Sequence, residues 1–152
     1  MELSEKVSEF HDRVRLEECE VKQLPGGGVE GHVTLVWNPD HRFVGTVEGE
    51  DSPEGRMRCA AEATAMALDR ATAYALAREP GSQEKVGFEV LDVIETHAAH
   101  EDDVMLVLVS ITVGDVVTRV TGSCLSEDQP TRAAVLAVLR ATNRFVSAVT
   151  TK

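Results

Sequence analysis

Hydrophobic and polar residues alternate along several short segments of the chain. The clearest example is Val29–Trp37, where apolar residues or glycine take every second position and polar residues fill most of the others. A period of two predicts a β-strand with one buried face. The patterning and the intervening turn residues predict strands over 15–22, 29–37, 42–48, 86–95, 104–113 and 116–124.

A segment with helical spacing follows each group of three strands. Ser52 precedes Pro53 at the start of the first, an order typical of helix starts, because serine caps free N–H groups and proline loses no hydrogen bond there. Apolar and small residues then recur three or four positions apart and predict a buried stripe. Its members are Met57, Ala60, Ala61, Thr64, Leu68, Ala71 and Ala75. The second helix is expected over 130–149.

The two groups are copies of one unit. An offset of 77 residues aligns 42–53 with 119–130, and five of these twelve positions are identical. The same offset pairs Ala60 with Ala137 and Leu68 with Phe145. We therefore expect one α+β domain over 1–152 with a duplicated βββα unit, pseudo-twofold symmetry and an antiparallel sheet packed against two helices. The repeats span about 13–80 and 85–149, after an N-terminal extension over 1–12.

Composition excludes several classes of protein. The 15 Lys and Arg against 26 Asp and Glu give a net charge of −11, which argues against binding a nucleic-acid backbone. No apolar run approaches the roughly 20 residues that span a bilayer, so we expect no membrane partner. The first residues lack a signal-peptide pattern, which predicts a cytoplasmic location. Three widely separated cysteines form neither a disulfide framework nor a zinc motif.

Two groups of residues are candidates for catalysis or metal binding. Cys59 lies near a helix start, which lowers a thiol pKa, but it also lies beside the apolar stripe, where a buried thiol is ordinary packing. His97 and His100 lie in a polar loop predicted over 96–103, with no helix to hold them as paired ligands. We expect no enzyme activity, no metal and no cofactor.

The loops that lead into the helices, 45–53 and 122–130, are the best candidate ligand site. A helix start offers unpaired N–H groups to a carboxylate or phosphate, and two starts related by the repeat can frame one small anion. The candidate residues are Gly49, Asp51, Ser52, Asp128 and Gln129. The alternative is structural: both carboxylates favour the helix starts, and Asp128 caps the second helix where Gln129 replaces Ser52.

The strand that begins at Val104 is apolar on both faces up to Val109, unlike a half-exposed antiparallel strand. A second copy of the chain is the simplest cover, since exposed apolar patches mark contacts. We therefore expect a homodimer. The alternative is that the N-terminal segment folds over this strand.

The second repeat resembles the end of the C-terminal regulatory domain of 2-isopropylmalate synthase. The residues that carry the resemblance are Val120, Thr121, Gly122, Leu139, Ala141, Asn143 and Arg144. In the first repeat, Gly45, Gly49 and Pro53 match the glycine-rich loop of that family, while Val47 and Ser52 depart from it. The resemblance implies paired βββα units that dimerise and bind leucine near the interface to signal to a catalytic barrel.

No barrel is present in this chain, so synthesis of leucine does not follow from the resemblance. The sequence predicts a non-catalytic, dimeric regulatory domain that binds a small carboxylate metabolite such as a branched-chain amino acid. The alternative is an interaction or structural module without a small ligand, whose acidic surface recruits a basic protein partner.

Overall fold

The computed structural model describes residues 13–37, 40–77, 85–97 and 102–150. The predicted N-terminal extension over 1–12 and the candidate metal ligand His100 lie outside these residues. The first unit contains β1 (Arg15–Gln23), β2 (Val29–Trp37), β3 (His41–Gly49) and α1 (Pro53–Ala77). The second contains β4 (Val86–His97), β5 (Asp103–Val113), β6 (Val116–Leu125) and α2 (Pro130–Thr150).

The expected duplicated α+β fold is confirmed, with each unit forming its own antiparallel sheet. The strand orders are β1-β2-β3 and β4-β5-β6, so the middle strand of each sheet pairs with both neighbours. Gly114, with φ 57°, supplies the left-handed turn between β5 and β6. The hairpin between β4 and β5 is longer than predicted, since His97 pairs with Asp103 and the loop is correspondingly shorter.

Each helix packs on its own sheet and also on an edge strand of the other sheet, and these contacts hold the two units together. α1 packs on β2 and β3 of its own sheet and on β4 of the other, while α2 packs on β5, β6 and β1. The helices also pack on each other. One cluster of buried side chains therefore spans both units, with Trp37 and Leu68 among its first-unit members and Met105 and Val138 among those of the second.

One glycine in each unit marks the point where the sheet touches its helix. The Cα of Gly45 lies against the backbone of Ala63 and Ala67, and that of Gly122 lies against Ala137 and Ala141. The glycines are 77 residues apart, as the sequence alignment predicts, but their helix contacts are 74 apart. The pairing of Ala60 with Ala137 is therefore wrong by about one turn, because α1 has an extra turn at its start.

A β-bulge recurs at matching positions of the two edge strands. The register of β1 shifts between Leu16 and Glu18, and that of β4 shifts between Val90 and Asp92. These positions are again 74 residues apart. Since a bulge bends its strand and sharpens the local twist, both edge strands bend at the same point.

The outer faces of the two middle strands differ in polarity. In β2 this face carries Glu30, His32 and Thr34, and the corresponding positions of β5 carry Val104, Leu106 and Leu108. Leu106 is 41% exposed, and its neighbours Ile94 and Leu125 are 49% and 48% exposed. The apolar outer face thus belongs to the second sheet alone. Within the described ranges, neither helix has the length and apolar character required to cross a bilayer.

Candidate functional site

The start of α1 has the serine cap that the sequence predicts. The Ser52 hydroxyl accepts a hydrogen bond from the Gly55 N–H at 2.9 Å, and the Ser52 carbonyl accepts one from the Arg56 N–H at 2.9 Å. Pro53 is the first helical residue and has no N–H to satisfy. Most of the donors at this helix start are therefore already occupied.

The carboxylate of Asp51 contacts one side chain from the first turn of α1 and one from the first sheet. Its Oδ1 accepts a hydrogen bond from Arg56 Nε at 2.9 Å, and its Oδ2 accepts one from Gln23 Nε2 at 2.9 Å. The carboxylate charge of Asp51 is thus compensated by the guanidinium of Arg56. Both side chains remain partly open to solvent, so this ion pair contributes little to the free energy of folding.

The start of α2 is built differently. Glu127 and Asp128 take left-handed conformations with φ 46° and 64°, and the Ala133 N–H donates to the Gln129 carbonyl at 3.0 Å. The expected cap from Asp128 is wrong, since among the described residues its carboxylate accepts no hydrogen bond. The Ser126 hydroxyl, the other nearby candidate, donates instead to Glu95 Oε2 at 2.7 Å.

The two helix starts meet at one cavity of about 300 Å³, which we call the inter-helix pocket. Residues from α1, from α2, from the loop before α1 and from the end of β4 line it: Asp51, Ser52, Pro53, Arg56, Met57, Glu95, Pro130 and Thr131. Met57 is only 6% exposed and supplies apolar surface. Glu95 and Asp51 supply carboxylates, and Arg56 supplies a cation. The N–H of Thr131 has no side-chain cap among the described residues.

The five residues proposed from the sequence are distributed over this region. Asp51 and Ser52 line the inter-helix pocket, whereas Gly49 lies against the Cys59 sulfur beneath it. Gln129 lines a separate cavity of about 190 Å³ that also contains Cys124. Asp128 is exposed and lines neither cavity.

Sequence reasoning missed Arg56, Met57, Glu95 and Thr131 as lining residues. For Arg56 a signal existed, since an arginine one turn after a loop carboxylate is placed to pair with it. Met57 was predicted to be buried, but not to face a cavity. For Glu95 no local signal existed, because only the packing of β4 against α1 brings it to the pocket.

The residues that the sequence offers for catalysis or metal binding lie in surroundings that suit structural roles. Cys59 is buried, and its pKa is raised by the loss of solvation and, to a smaller extent, by the nearby Glu62, so it remains a thiol. His97 contacts the carboxylate of Asp103, its partner in the strand pairing. In the part of the chain that the structure describes, no three His, Cys, Asp or Glu side chains are grouped to hold a metal ion.

The sequence matches no protein-family model and no curated protein. What the chain does is therefore inferred from its fold and from the residues around the inter-helix pocket.

Proposed function

We propose that this chain is a non-catalytic, homodimeric regulatory domain that binds a small carboxylate metabolite, such as a branched-chain amino acid, in the inter-helix pocket. The observation that carries the proposal is that both helix starts border one cavity of about 300 Å³. Ligand pockets span roughly 300–1,000 Å³, so this volume suits a ligand of amino-acid size.

The start of α2 is the better place for the carboxylate. At α1 the Ser52 cap and the Asp51 carboxylate already occupy the positions that an anion would take. At α2 the N–H of Thr131 has no such competitor among the described residues, and Thr131 lines the pocket. The positive end of the helix dipole adds to the attraction.

The opposite wall suits the rest of an amino acid. Glu95 presents a carboxylate that has no cationic partner among the described residues, which favours a ligand ammonium group. Met57 offers a flexible apolar surface to a branched side chain. This distribution favours a zwitterionic amino acid over a 2-keto acid, which has no ammonium group.

The apolar outer face of the second sheet supports the dimer. Leu106, Ile94 and Leu125 are each at least 41% exposed on adjacent strands, and the corresponding face of the first sheet is polar. Two such faces packed back to back would form a sandwich with the sheets about 10 Å apart.

The regulatory role rests on the resemblance to the 2-isopropylmalate synthase domain together with the duplicated βββα plan. A ligand that binds one arrangement of the two units more tightly shifts the population toward that arrangement. Because the pocket lies between the two helix starts, a ligand there changes how the units pack, and the dimer can transmit that change to a partner.

Thermal unfolding in the presence of single metabolites tests this proposal. A ligand at 100 times its dissociation constant adds about 2.7 kcal/mol to stability, which raises the Tm of a domain this size by about 5–10 °C. We expect such a shift with leucine, isoleucine or valine, and a smaller one with the matching 2-keto acids.

Thr131→Glu should abolish the shift, since its carboxylate occupies the proposed anion position while suiting a helix start. Thr121→Glu, on an exposed strand position, is the matched control and should retain the shift. Flat melting curves across the whole panel, or an unchanged shift in Thr131→Glu, would overturn the proposal.

A further inference from the structure

We propose that the second half of β4 takes up an extended basic peptide from a partner protein as an added strand. The docking site lies between this strand edge and the first turns of α1. It goes beyond the metabolite function and does not rest on it, although the two sites share Glu95.

The edges formed by β3 and β6 are protected by side chains of the helices. The guanidinium of Arg70 donates to the Val44 carbonyl at 2.7 Å, and that of Arg140 donates to the Ser123 carbonyl at 3.1 Å. Glycine contacts also hold both strands directly against the helix backbone. Both edges are therefore covered where they run along the helices.

The first half of β4 is protected in the same way. The Phe88 N–H donates to Asp69 Oδ1 at 2.8 Å, and Arg58 donates to the Val90 carbonyl at 3.2 Å. These bonds show that the backbone groups of Phe88 and Val90 point away from β5, toward α1. The bulge follows directly after Val90.

Beyond the bulge this protection ends. The pairing register turns the backbone groups of Val93, Glu95 and His97 outward, because alternate residues of an antiparallel strand face alternate sides. The Val93 N–H bonds locally to Asp92 Oδ1 at 2.9 Å. For the Val93 carbonyl and for both backbone groups of Glu95, the described part of the chain provides no partner. An open edge of this kind is a template for another strand.

A cleft of about 540 Å³ runs along this open half. Asp92, Val93, Ile94 and Glu95 form one wall, and the first two turns of α1 form the other. An added strand lies about 4.8 Å from its neighbour, and four residue steps along it span about 14 Å. The volume is therefore suited to a short extended segment.

The negative charge of the cleft favours a basic peptide as its occupant. Glu54, Asp92 and Glu95 line it, and none of them is in an ion pair with another described residue. Arg58, its one cation, is already paired with Glu62 at 3.5 Å. Lysine or arginine at alternate positions of the peptide would meet these carboxylates, and the net charge of −11 would speed the encounter.

The pseudo-symmetric position in the first unit carries different residues. Asp92 and Glu95 correspond to Glu18 and Val21 of β1, so one carboxylate is replaced by an apolar residue. The helix wall also differs, because the extra turn that begins at Pro53 belongs to α1 and has no counterpart in α2. The site is thus specific to one edge of the molecule.

A synthetic peptide tests the proposal in the intact chain without any metabolite. The probe is a seven-residue peptide of alternating lysine and valine with blocked ends, titrated while backbone amide signals are recorded by NMR. We expect shifts concentrated at 93–97 and slowed hydrogen exchange of the Glu95 amide. A glutamate–valine peptide should bind at least about tenfold more weakly, as should the lysine peptide N-methylated on alternate residues, which cannot donate to the edge.

Paired charge variants separate this site from general attraction to an acidic protein. Glu54→Lys with Asp92→Lys should weaken binding of the lysine peptide by about tenfold or more, whereas Asp115→Lys with Glu127→Lys, at exposed turns that do not line the cleft, should not. Equal losses in both pairs, equal binding of the N-methylated peptide, or shifts that miss both walls of the cleft would overturn the proposal. In that case the acidic residues and the bulge serve only to keep the edge from pairing.

Discussion

Replacing Gly45 or Gly122 by alanine tests the contact that defines the repeat. A Cβ on Gly45 would lie 2.8 Å from the Ala63 carbonyl carbon and 2.9 Å from the Ala67 nitrogen. A Cβ on Gly122 would lie 2.7 Å from the Ala141 nitrogen and 2.8 Å from its Cβ. The closest contact in each case would be with a helix carbonyl oxygen, that of Ala63 or of Ala137. Relaxed contacts between carbon atoms are about 3.5–4.0 Å, so the strand has to move away from the helix by at least about 1 Å.

The contacted atoms belong mainly to the helix backbone, so no side-chain rotation can relieve the overlap. Overpacking of a core costs about 1–3 kcal/mol, and we expect the upper end of that range for Gly45→Ala and Gly122→Ala alike. For a domain this size, about 3 kcal/mol lowers the Tm by about 6–12 °C. Gly87→Ala is the matched control, because the added Cβ meets nothing within 4 Å and the residue also lies in a strand.

Urea unfolding followed by circular dichroism and by fluorescence provides the measurement. The single tryptophan, Trp37, is buried in the core and reports directly on the first unit. Gly87→Ala should stay within about 1 kcal/mol of the unmodified protein, since it mainly restricts the unfolded chain. If Gly45→Ala unfolds at the same urea concentration as Gly87→Ala, the close contact between β3 and α1 does not exist and the assigned repeat geometry is wrong.

Three further outcomes follow from single contacts. Leu106→Lys should convert the proposed dimer to a monomer in light scattering, whereas His32→Lys, at the corresponding position of the first sheet, should not; a dimer mass for both would contradict the proposed interface. Burial raises the pKa of Asp69, although the Phe88 N–H opposes the shift. The folded state therefore loses stability as pH rises from the ordinary aspartate pKa through the raised one, and regains it as pH falls back through the same interval. Asp69→Asn keeps the acceptor and should remove this part of the pH dependence of the free energy of unfolding; an unchanged profile would contradict it. Ser52→Ala should cost about 1 kcal/mol by removing the bond to the Gly55 N–H, and no loss in urea unfolding would show that the cap contributes nothing.

The elements could be predicted because their patterns are local. The alternation of Val29–Trp37 gives both ends of β2 as the structure has them, although Thr34 and Val36 on the second face are buried too. The one-turn difference between the helices could not be seen in the same way. Three residues rotate a helix by about 300°, so a shift of three residues leaves nearly the same face buried. Ala60 and Ala63 are both fully buried for that reason, and the alignment could not distinguish them.

The candidate site could be predicted only in part. Asp51 and Ser52 were found because a loop before a helix has a recognisable sequence, and the repeat indicated that a second helix start was involved. Glu95 and Thr131 reach the same pocket from β4 and α2, and only the packing of the two units brings them together. Gln129 and Asp128 do not line the pocket, and a left-handed turn at 127–128 precedes α2 where a serine cap precedes α1. The alignment of the two loops gave no sign of this difference, because the glutamate and aspartate of the turn are identical in both copies.

Binding of leucine, followed through the backbone amides by NMR, is the most direct test of the proposed function. We expect saturable shifts of the Thr131 and Arg132 amides at the start of α2, together with the methyl signal of Met57, and no comparable shifts on the polar outer face of β2. Valine and isoleucine should affect the same signals. If leucine, valine and isoleucine leave these amides unmoved at millimolar concentration, the inter-helix pocket is not an amino-acid site.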